Sequence, residues 1–197
     1  MSSVMPRAAR LPEGESHAAA PSGTPPTLES LYADHFDFVW RTLRRLGVPE
    51  ASLDDATQDV FIVVHRRLSD YQPRWSPRSW LFAIARRVAS DHRRTQRRKG
   101  GLLPIKDSVP APAATDPHDG ALRAQASRIV HGFLETLDDD RRAVFVLAEL
   151  EQMTAPEIAE ALNANPSTVY SRLASARKAL LAYVQTHHPD SMEGADG

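Results

Sequence analysis

A dense run of basic side chains has the clearest chemical meaning in this 197-residue sequence. Arginines and a lysine crowd positions 86–99, where Asp91 is the single acid. They are Arg86, Arg87, Arg93, Arg94, Arg97, Arg98 and Lys99. Because phosphates are anionic, such a patch is suited to hold a nucleic-acid backbone. A basic run can also be a plain solvated helix face, so its surroundings must decide between the two.

An aromatic loop, residues 69–76, lies shortly before the basic run and contains Tyr71 and Trp75. Rings beside cations suit a single nucleic-acid strand, because arginines hold the phosphates while a ring stacks on an extruded base. The alternative for Trp75 is a loop side chain folded over the core. Trp80 lies on an apolar helical stripe, so we expect it inside the core.

The C-terminal third of the chain predicts a helix-turn-helix. Thr154 and Glu157 have the spacing of a capping box that starts a short helix. Asn163 is expected in the left-handed turn, and Asn165 with Pro166 then opens a longer helix. The polar side chains expected to face DNA bases or phosphates are Ser167, Thr168, Tyr170, Ser171, Arg172, Ser175, Arg177 and Lys178. The alternative is an ordinary helical hairpin, because caps and small residues also serve packing.

Apolar residues at spacings of three and four predict the helices that position these groups. One stripe covers residues 28–46 and a second covers residues 53–68. A third helix is expected to begin at Ser76, with an apolar first half and the basic run as its second half. A further stripe leads to Leu137, after which Asp138 or Asp139 can cap the next helix.

The expected fold is all-α, with two small helical domains joined by a flexible linker. Residues 27–99 form the first domain and residues 121–186 form the second. Residues 100–120 are rich in proline and glycine and lack periodicity, which is typical of a linker. Residues 1–26 and 187–197 are expected to be disordered tails.

The composition argues against several classes of function. There is no cysteine, and the eight histidines form no helical i, i+4 pair, so neither a metal site nor a cofactor is expected. No nucleophile elbow or phosphate loop occurs, so we expect no catalytic residues and no enzyme. No apolar run is long enough to insert in a membrane and no secretory signal is seen, which predicts a cytoplasmic protein.

Two sets of motifs resemble RNA polymerase sigma factors of the extracytoplasmic-function group. The first set is D-A-T-Q-D-V-F at 55–61, P-R-S-W-L-F-A-I-A-R-R at 77–87 and D-H-R-R at 91–94. The second set is R-A-V-F-V-L at 142–147, E-I-A at 157–159 and S-T-V-Y-S-R-L at 167–173. Their order on either side of a proline-rich linker covers most of residues 28–184. The resemblance implies that the first domain is a sigma region 2 bundle and the second a sigma region 4 helix-turn-helix.

The resemblance also implies a function and its partners. The chain would bind core RNA polymerase, direct it to specific promoters and promote promoter melting and transcription initiation, without being an enzyme. Docking on the polymerase is implied for Asp55, Gln58, Asp59 and Phe61. Capture of a flipped promoter base is implied for the loop with Tyr71 and Trp75. Strand binding is implied for Arg86, Arg87, Arg93, Arg94 and Arg97. Promoter DNA and an anti-sigma factor are the other expected partners.

The sequence departs from the family pattern in the second domain. Ala174 and Ser175 stand where family members often carry a large or basic side chain, and Asn163 replaces the common turn glycine. A lost phosphate contact flattens the salt dependence of DNA binding by about one unit of slope, so the second domain is expected to bind the upstream element weakly or to prefer an atypical element. The alternative function is a stand-alone helix-turn-helix transcriptional regulator, which would act on duplex DNA without polymerase.

Overall fold

The computed structural model describes residues 26–98 and 117–188, with side chains described for 26–98 and 125–188. Within these ranges the regular structure is helical and no strand occurs, which confirms the predicted all-α fold. The helices are α1 (Leu28–Arg45), α2 (Leu53–Arg67), α3 (Pro77–Arg98), α4 (Pro117–Thr136), α5 (Asp139–Phe145), α6 (Ala155–Leu162) and α7 (Pro166–His187). Among the described helices, none has the length and apolarity needed to cross a membrane.

The first domain is a bundle in which α1, α2 and α3 pack against one another. The predicted apolar stripes meet in its centre, because residues three and four apart share one helix face. Its fully buried side chains include Val39, Leu43, Val60, Val64, Leu81 and Phe82. Trp80 is 8% exposed, so its predicted place in the core is confirmed. The hydroxyl of Ser76 accepts a hydrogen bond from the Ser79 N–H at 3.0 Å and starts α3, as expected.

The second domain joins α4, α5, α6 and α7 around a separate set of apolar side chains. Its fully buried members include Phe133, Val144, Leu147, Ile158 and Val169. Val146–Leu150 continues α5 as a wide π-helical turn. The Asp138 carboxylate caps α5 by accepting from the Arg141 N–H at 2.8 Å, one of the two predicted caps.

The predicted helix-turn-helix is present in α6 and α7. The Glu157 carboxylate accepts from the Thr154 N–H at 2.8 Å and from its hydroxyl at 2.7 Å. Asn163 has φ 47° and ψ 49°, so the turn uses the expected left-handed residue. The Asn165 side chain accepts from the Ser167 N–H at 2.9 Å and caps α7. These local signals were sufficient because each satisfies backbone groups that a helix end leaves without partners.

Two helices extend across the predicted domain edges. α4 begins at Pro117, inside the segment expected to be linker, and α7 continues to His187. The rest of the expected linker and nearly all of both expected tails lie outside the described residues. The two domains lie against each other through α3 and α6, where the Ser79 hydroxyl donates to the Glu157 carbonyl at 3.2 Å.

Candidate nucleic-acid interface

The basic half of α3 presents its arginines in two directions. Arg87, Arg94 and Arg97 are exposed to solvent. Arg94 is paired with Asp91 of its own helix at 3.1 Å, and both side chains are more than half exposed. An exposed pair of this kind contributes little to stability, so its guanidinium is readily available to a phosphate.

Arg86 and Arg93 are half-buried and face the second domain. Arg86 forms an ion pair with Asp140, and Arg93 donates to Asp139 at 2.5 Å. Arg93 also donates to the Leu46 carbonyl at 2.5 Å. Of the five arginines predicted to bind the promoter strand, these two are therefore held by carboxylates of the second domain.

The aromatic loop is fastened to the first domain by its own side chains. The Tyr71 hydroxyl donates to the Trp75 carbonyl at 2.7 Å, and the Tyr71 ring packs edge-on against Trp80 at 5.2 Å. Burial raises the pKa of the Tyr71 hydroxyl, and the charge of Glu160 acts in the same direction. Trp75 is half-buried against the core, with the Arg74 guanidinium 5.7 Å from its ring centre. The structure thus gives Trp75 a core contact while part of its surface stays accessible.

The start of α7 carries the predicted recognition side chains on an open face. Ser167, Tyr170 and Ser171 are exposed, as are Ser175 and Lys178. Tyr170 is the most conspicuous, because 54% of this large side chain is accessible. Thr168, Arg172 and Arg177 are only partly exposed.

Two arginines of α7 have carboxylate partners within the second domain. Arg172 donates to Asp140 at 2.5 Å, and Arg177 donates to Glu149 at 2.7 Å. Asp140 therefore holds Arg172 of the recognition helix with one oxygen and Arg86 of α3 with the other. One carboxylate connects the two surfaces that were predicted separately to bind DNA.

The predicted polymerase-docking residues lie on α2. Asp55, Gln58 and Asp59 are exposed on one face of this helix. Phe61 is 7% exposed and packs towards α1, with its ring centre 4.7 Å from that of Tyr32. Phe61 can therefore support the face but offers little surface of its own. The Asp59 carboxylate contacts His92 Nε2 at 2.8 Å, which ties α2 to α3.

Sequence reasoning missed Glu151, whose side chain is only 3% exposed. It pairs with Arg45 and with Arg78, the latter at 2.5 Å, and Arg41 lies at 3.9 Å. Burial lowers the pKa of the Arg45 guanidinium, and the opposing charge of Glu151 partly offsets that shift. The residue follows an apolar turn at a bend between helices, where an acid usually faces solvent. Its only sequence signal is a carboxylate that follows shortly after a buried apolar run.

Metal-ligand residues do not converge on a common point in the described part of the chain. No three His, Asp or Glu side chains are arranged there to hold an ion. The candidate surfaces are therefore characterised by charge, hydroxyl groups and aromatic rings.

Two family models match the sequence, one for each domain. Sigma-70 region 2 matches residues 31–99, and Sigma-70, region 4 matches residues 127–180. The first match contains the acidic face of α2, the aromatic loop and the basic half of α3. The second contains the helix-turn-helix, so the matched regions follow the order expected from the motifs.

Curated relatives are similar over most of the chain. The RNA polymerase sigma factor NccH of Alcaligenes xylosoxydans xylosoxydans is 33% identical over 73% of this chain and 78% of that protein. The RNA polymerase sigma factor CnrH of Cupriavidus metallidurans is 30% identical over 84% of this chain and 90% of that protein. The ferric citrate uptake sigma factor FecI of Escherichia coli K12 is 30% identical over 76% of this chain and 86% of that protein.

Solved structures agree with the two-domain helical fold. CnrH in complex with the cytosolic domain of CnrY has a TM-score of 0.62 and 28% identity, covering 86% of this chain and 95% of that one. The sigma factor RpoE of Bartonella quintana, in complex with the anti-sigma factor NepR, has a TM-score of 0.62 and covers 81% of this chain and 98% of that one. Its identity is 16%, so that likeness bears on the fold alone.

Proposed function

The chain belongs to the RNA polymerase sigma factors of the extracytoplasmic-function group, and on that premise we propose how its two domains divide the work at a promoter. A sigma factor binds core RNA polymerase, directs it to promoters and promotes initiation. The first domain docks on core polymerase and melts the promoter, while the second reads the upstream element. The chemistry of RNA synthesis belongs to the polymerase, and this chain supplies specificity.

The acidic face of α2 is the proposed polymerase-docking surface. Asp55, Gln58 and Asp59 share that face, and the exposed Ile62 beside them adds apolar contact. Charged side chains around an apolar group are a common composition for a protein interface, in which charge sets orientation and rate of encounter. Phe61 positions this helix by packing against Tyr32 of α1.

The basic half of α3 and the aromatic loop are the proposed melting surface. Arg87, Arg94 and Arg97 are available to the phosphates of a displaced strand, and Arg86 and Arg93 join them when their carboxylate partners are released. The accessible part of Trp75 is positioned to meet an extruded base, with Tyr71 holding the loop in place.

The helix-turn-helix is the proposed reader of the upstream promoter element. A helix that opens with a cap and offers exposed hydroxyl groups can enter the major groove by its first turns. Ser167, Tyr170 and Ser171 supply those groups, while Lys178 further along α7 suits a phosphate. The small side chains Ala174 and Ser175 remove contacts from this face, so affinity for the element alone should be modest.

The partners follow from the same premise. The relative CnrH has been solved in complex with the cytosolic domain of CnrY. We propose that an anti-sigma factor also controls this chain, and that both proteins act in the cytoplasm, where the polymerase works. A stand-alone regulator is not favoured as the function. Such a protein would have no use for a sigma region 2 domain with an exposed acidic face, because that face is proposed to bind polymerase.

Transcription with purified components tests the proposed function. Core polymerase is supplied with a fragment library of promoters, with and without the protein, and the transcripts are sequenced. A defined set of start sites should depend on the protein and on core polymerase together. Transcription from the same start sites by core alone would contradict the proposal, as would promoter binding by the protein that never yields transcripts.

A further inference from the structure

A cleft lies between α1 and α4, and it shares no lining residue with the surfaces proposed to bind polymerase or DNA. Its volume is about 320 Å³. Since a water molecule takes up roughly 30 Å³ of liquid volume, the cleft has room for a ligand of roughly ten non-hydrogen atoms. The chemistry of its two walls indicates what such a ligand would be.

The wall formed by α1 is cationic. Arg41, Arg44 and Arg45 all line the cleft. The Glu151 carboxylate pairs with Arg45 and lies 3.9 Å from Arg41, but Arg78 shares the same carboxylate. Arg44 has no ion pair with any carboxylate of the described residues. One carboxylate therefore leaves this wall with an excess of positive charge.

The arginines of this wall act on one another through that charge. Burial lowers the pKa of the Arg45 guanidinium, and the charges of Arg41 and Arg44 lower it further, whereas Glu151 raises it. Neighbouring like charges disfavour the charged form of a group, and an opposite charge favours it. An anion bound between Arg41 and Arg44 would relieve this repulsion.

The opposite wall of the cleft is apolar. Val130 and Leu134 of α4 line it, together with Leu150 from the π-helical turn. Leu134 is almost fully buried, whereas Val130 and Leu150 are half-buried and keep some accessible surface. An aliphatic group laid against this wall would remove apolar surface from water, which favours binding. The cleft therefore combines a cationic and an aliphatic wall within the size of one small molecule.

His131 supplies a polar atom at the same cleft. Its Nε2 is shielded from solvent and has no hydrogen-bond partner among the described residues. The nearest carboxylate oxygen, Glu135 Oε1, is 3.7 Å away, which is too far for a hydrogen bond. Shielded polar atoms in folded proteins are nearly always hydrogen-bonded, so an orphaned one is a signal that a ligand completes the site.

We propose that this cleft binds a small organic anion, with a carboxylate or phosphate head group on Arg41 and Arg44 and a short aliphatic body against Val130 and Leu150. Guanidinium groups bind both kinds of head group through paired N–H donors. The site lies outside the proposed polymerase and DNA surfaces, so it adds a small-molecule ligand to the partners of this chain.

Calorimetric titration of the full chain tests the chemistry of the site. Octanoate, kept below the concentration at which it forms micelles, is the probe for a carboxylate head, and hexyl phosphate is the probe for a phosphate head. At least one of them should bind with one-to-one stoichiometry. Acetate lacks the aliphatic body and octylammonium has the opposite charge, so both should bind at least about tenfold more weakly. Equal binding of acetate or octylammonium would overturn the proposal, as would failure of both probes.

Variants test whether the cleft is the site. Arg44→Gln should weaken binding of the probe by about tenfold or more, because it removes a charged hydrogen-bond donor. Arg66→Gln is the matched control, since it removes the same charge from an exposed position of α2 and should leave the affinity unchanged. Equal losses for the two variants would mean that net charge alone attracts the probe, and the site would be refuted.

Val130→Thr tests the aliphatic wall, because threonine keeps the shape of valine and replaces a methyl group with a hydroxyl group. It should weaken octanoate binding and leave the weak binding of acetate unchanged. An unchanged octanoate affinity would exclude contact with this wall. Circular dichroism checks that every variant is folded, and Arg41→Gln, at an exposed position, replaces Arg44→Gln if the latter is not.

Trp40 reports binding at the cleft itself, because the Arg44 guanidinium lies 5.8 Å from its ring centre. The probe should shift the indole N–H resonance of Trp40, which Trp40→Phe assigns, and leave that of the buried Trp80 unchanged. Heat of binding without a shift at Trp40, or with equal shifts at both tryptophans, would place the ligand elsewhere and overturn the proposal. None of these measurements uses polymerase, so their outcome is independent of the proposed function.

Discussion

The two domains hold their DNA-facing side chains in different ways. In the first domain the proposed contacts are guanidinium groups, and Arg86 and Arg93 are already engaged by aspartates of the second domain. In the second domain the proposed contacts are mainly hydroxyl groups, and Ser167, Tyr170 and Ser171 are exposed. A surface that binds through charge can be covered by opposite charge from the same chain, whereas a surface that reads shape and hydrogen bonds is not blocked in this way.

The acidic residues of the two domains also differ in what they face. On α2 the side chains of Asp55 and Gln58 are free of the other domain and face outwards. The acids at the start of α5 face the basic half of α3 instead, and Glu151 is buried between the domains. Exposed acids thus remain for a partner, while acids at the domain contact act within the chain.

Charge reversal on the docking face should have the largest effect. Asp55→Lys with Asp59→Lys should abolish association with core polymerase, because like charges across an interface oppose both encounter and binding. Co-purification with core polymerase and start-site-specific transcription are the measurements. Thermal unfolding should change only slightly, through loss of the contact between Asp59 and His92.

A double reversal elsewhere in the first domain is the control for this prediction. Asp34→Lys with Asp37→Lys changes the net charge equally at exposed positions of α1. This control should retain polymerase association. If both double variants lose it equally, net charge rather than the α2 face determines binding. If the α2 variant still co-purifies and supports transcription, the docking assignment is wrong.

Removal of two arginines should weaken promoter melting through charge. Arg93→Ala with Arg94→Ala should reduce open-complex formation on every promoter, because phosphate contacts carry no sequence information. The slope of log affinity against log salt should flatten by about one unit for each lost contact. Filter binding and permanganate footprinting across a salt series measure both quantities.

The single variants distinguish the covered Arg93 from the open Arg94. Arg94 is exposed, whereas Arg93 must first leave Asp139. Arg94→Ala should lose affinity in polymerase-bound and free chains alike. Arg93→Ala should reduce the DNA affinity of the free chain much less than that of the polymerase-bound chain, because Asp139 covers Arg93 in the free chain. Equal losses for the two variants in the free chain would mean that Asp139 does not shield Arg93.

Trp75→Ala should reduce promoter melting by removing a stacking surface rather than a charge. It should spare duplex binding and the salt slope yet lower the yield of melted promoter, because only an extruded base can use the ring. A premelted bubble should rescue this variant more than the double arginine variant. Equal rescue in permanganate footprints would contradict the role assigned to the ring.

Stability measurement separates the two roles of Trp75. Its ring is half-buried, so Trp75→Ala should reduce the free energy of unfolding by less than the roughly 3–5 kcal/mol typical of a fully buried tryptophan. Trp80→Ala, at a buried position, should approach that range. If Trp75→Ala unfolds the domain, Trp75 belongs to the core and the loop assignment fails.

The sequence was most informative where structure depends on near neighbours. The cap at Asp138, the turn at Asn163 and the start of α7 at Pro166 each rest on residues within a few positions, and each was predicted. The apolar stripes also located the helices of the first domain. The beginning of α4 at Pro117 was missed, because a proline among several prolines reads as linker even though it suits a first helical turn.

Contacts between the domains could not be predicted from spacing. Glu151 is 73 positions from Arg78 and 106 from Arg45, and Arg86 is 54 from Asp140. No periodicity relates residues so far apart, and each of them reads as an ordinary surface charge. The sequence therefore presents the predicted DNA-binding arginines as one set. Only the packing of α3 against the second domain separates the arginines that are paired with its aspartates from those that stay open to solvent.

Alanine at the left-handed residues Gly47 and Asn163 should have smaller effects than the changes above. Asn163→Ala should reduce the free energy of unfolding by about 1–2 kcal/mol, because alanine lacks the polar side chain that tolerates this conformation. Gly47→Ala should cost more, since its new Cβ also meets Arg142 of the other domain. Urea unfolding measures both. Mutating Arg142 to Met should bring the cost of Gly47→Ala down towards that of Asn163→Ala, because the obstructing guanidinium is then gone. If the cost of Gly47→Ala is unchanged in the Arg142→Met background, backbone strain alone accounts for that cost. The turn at Gly47 then does not depend on contact with Arg142.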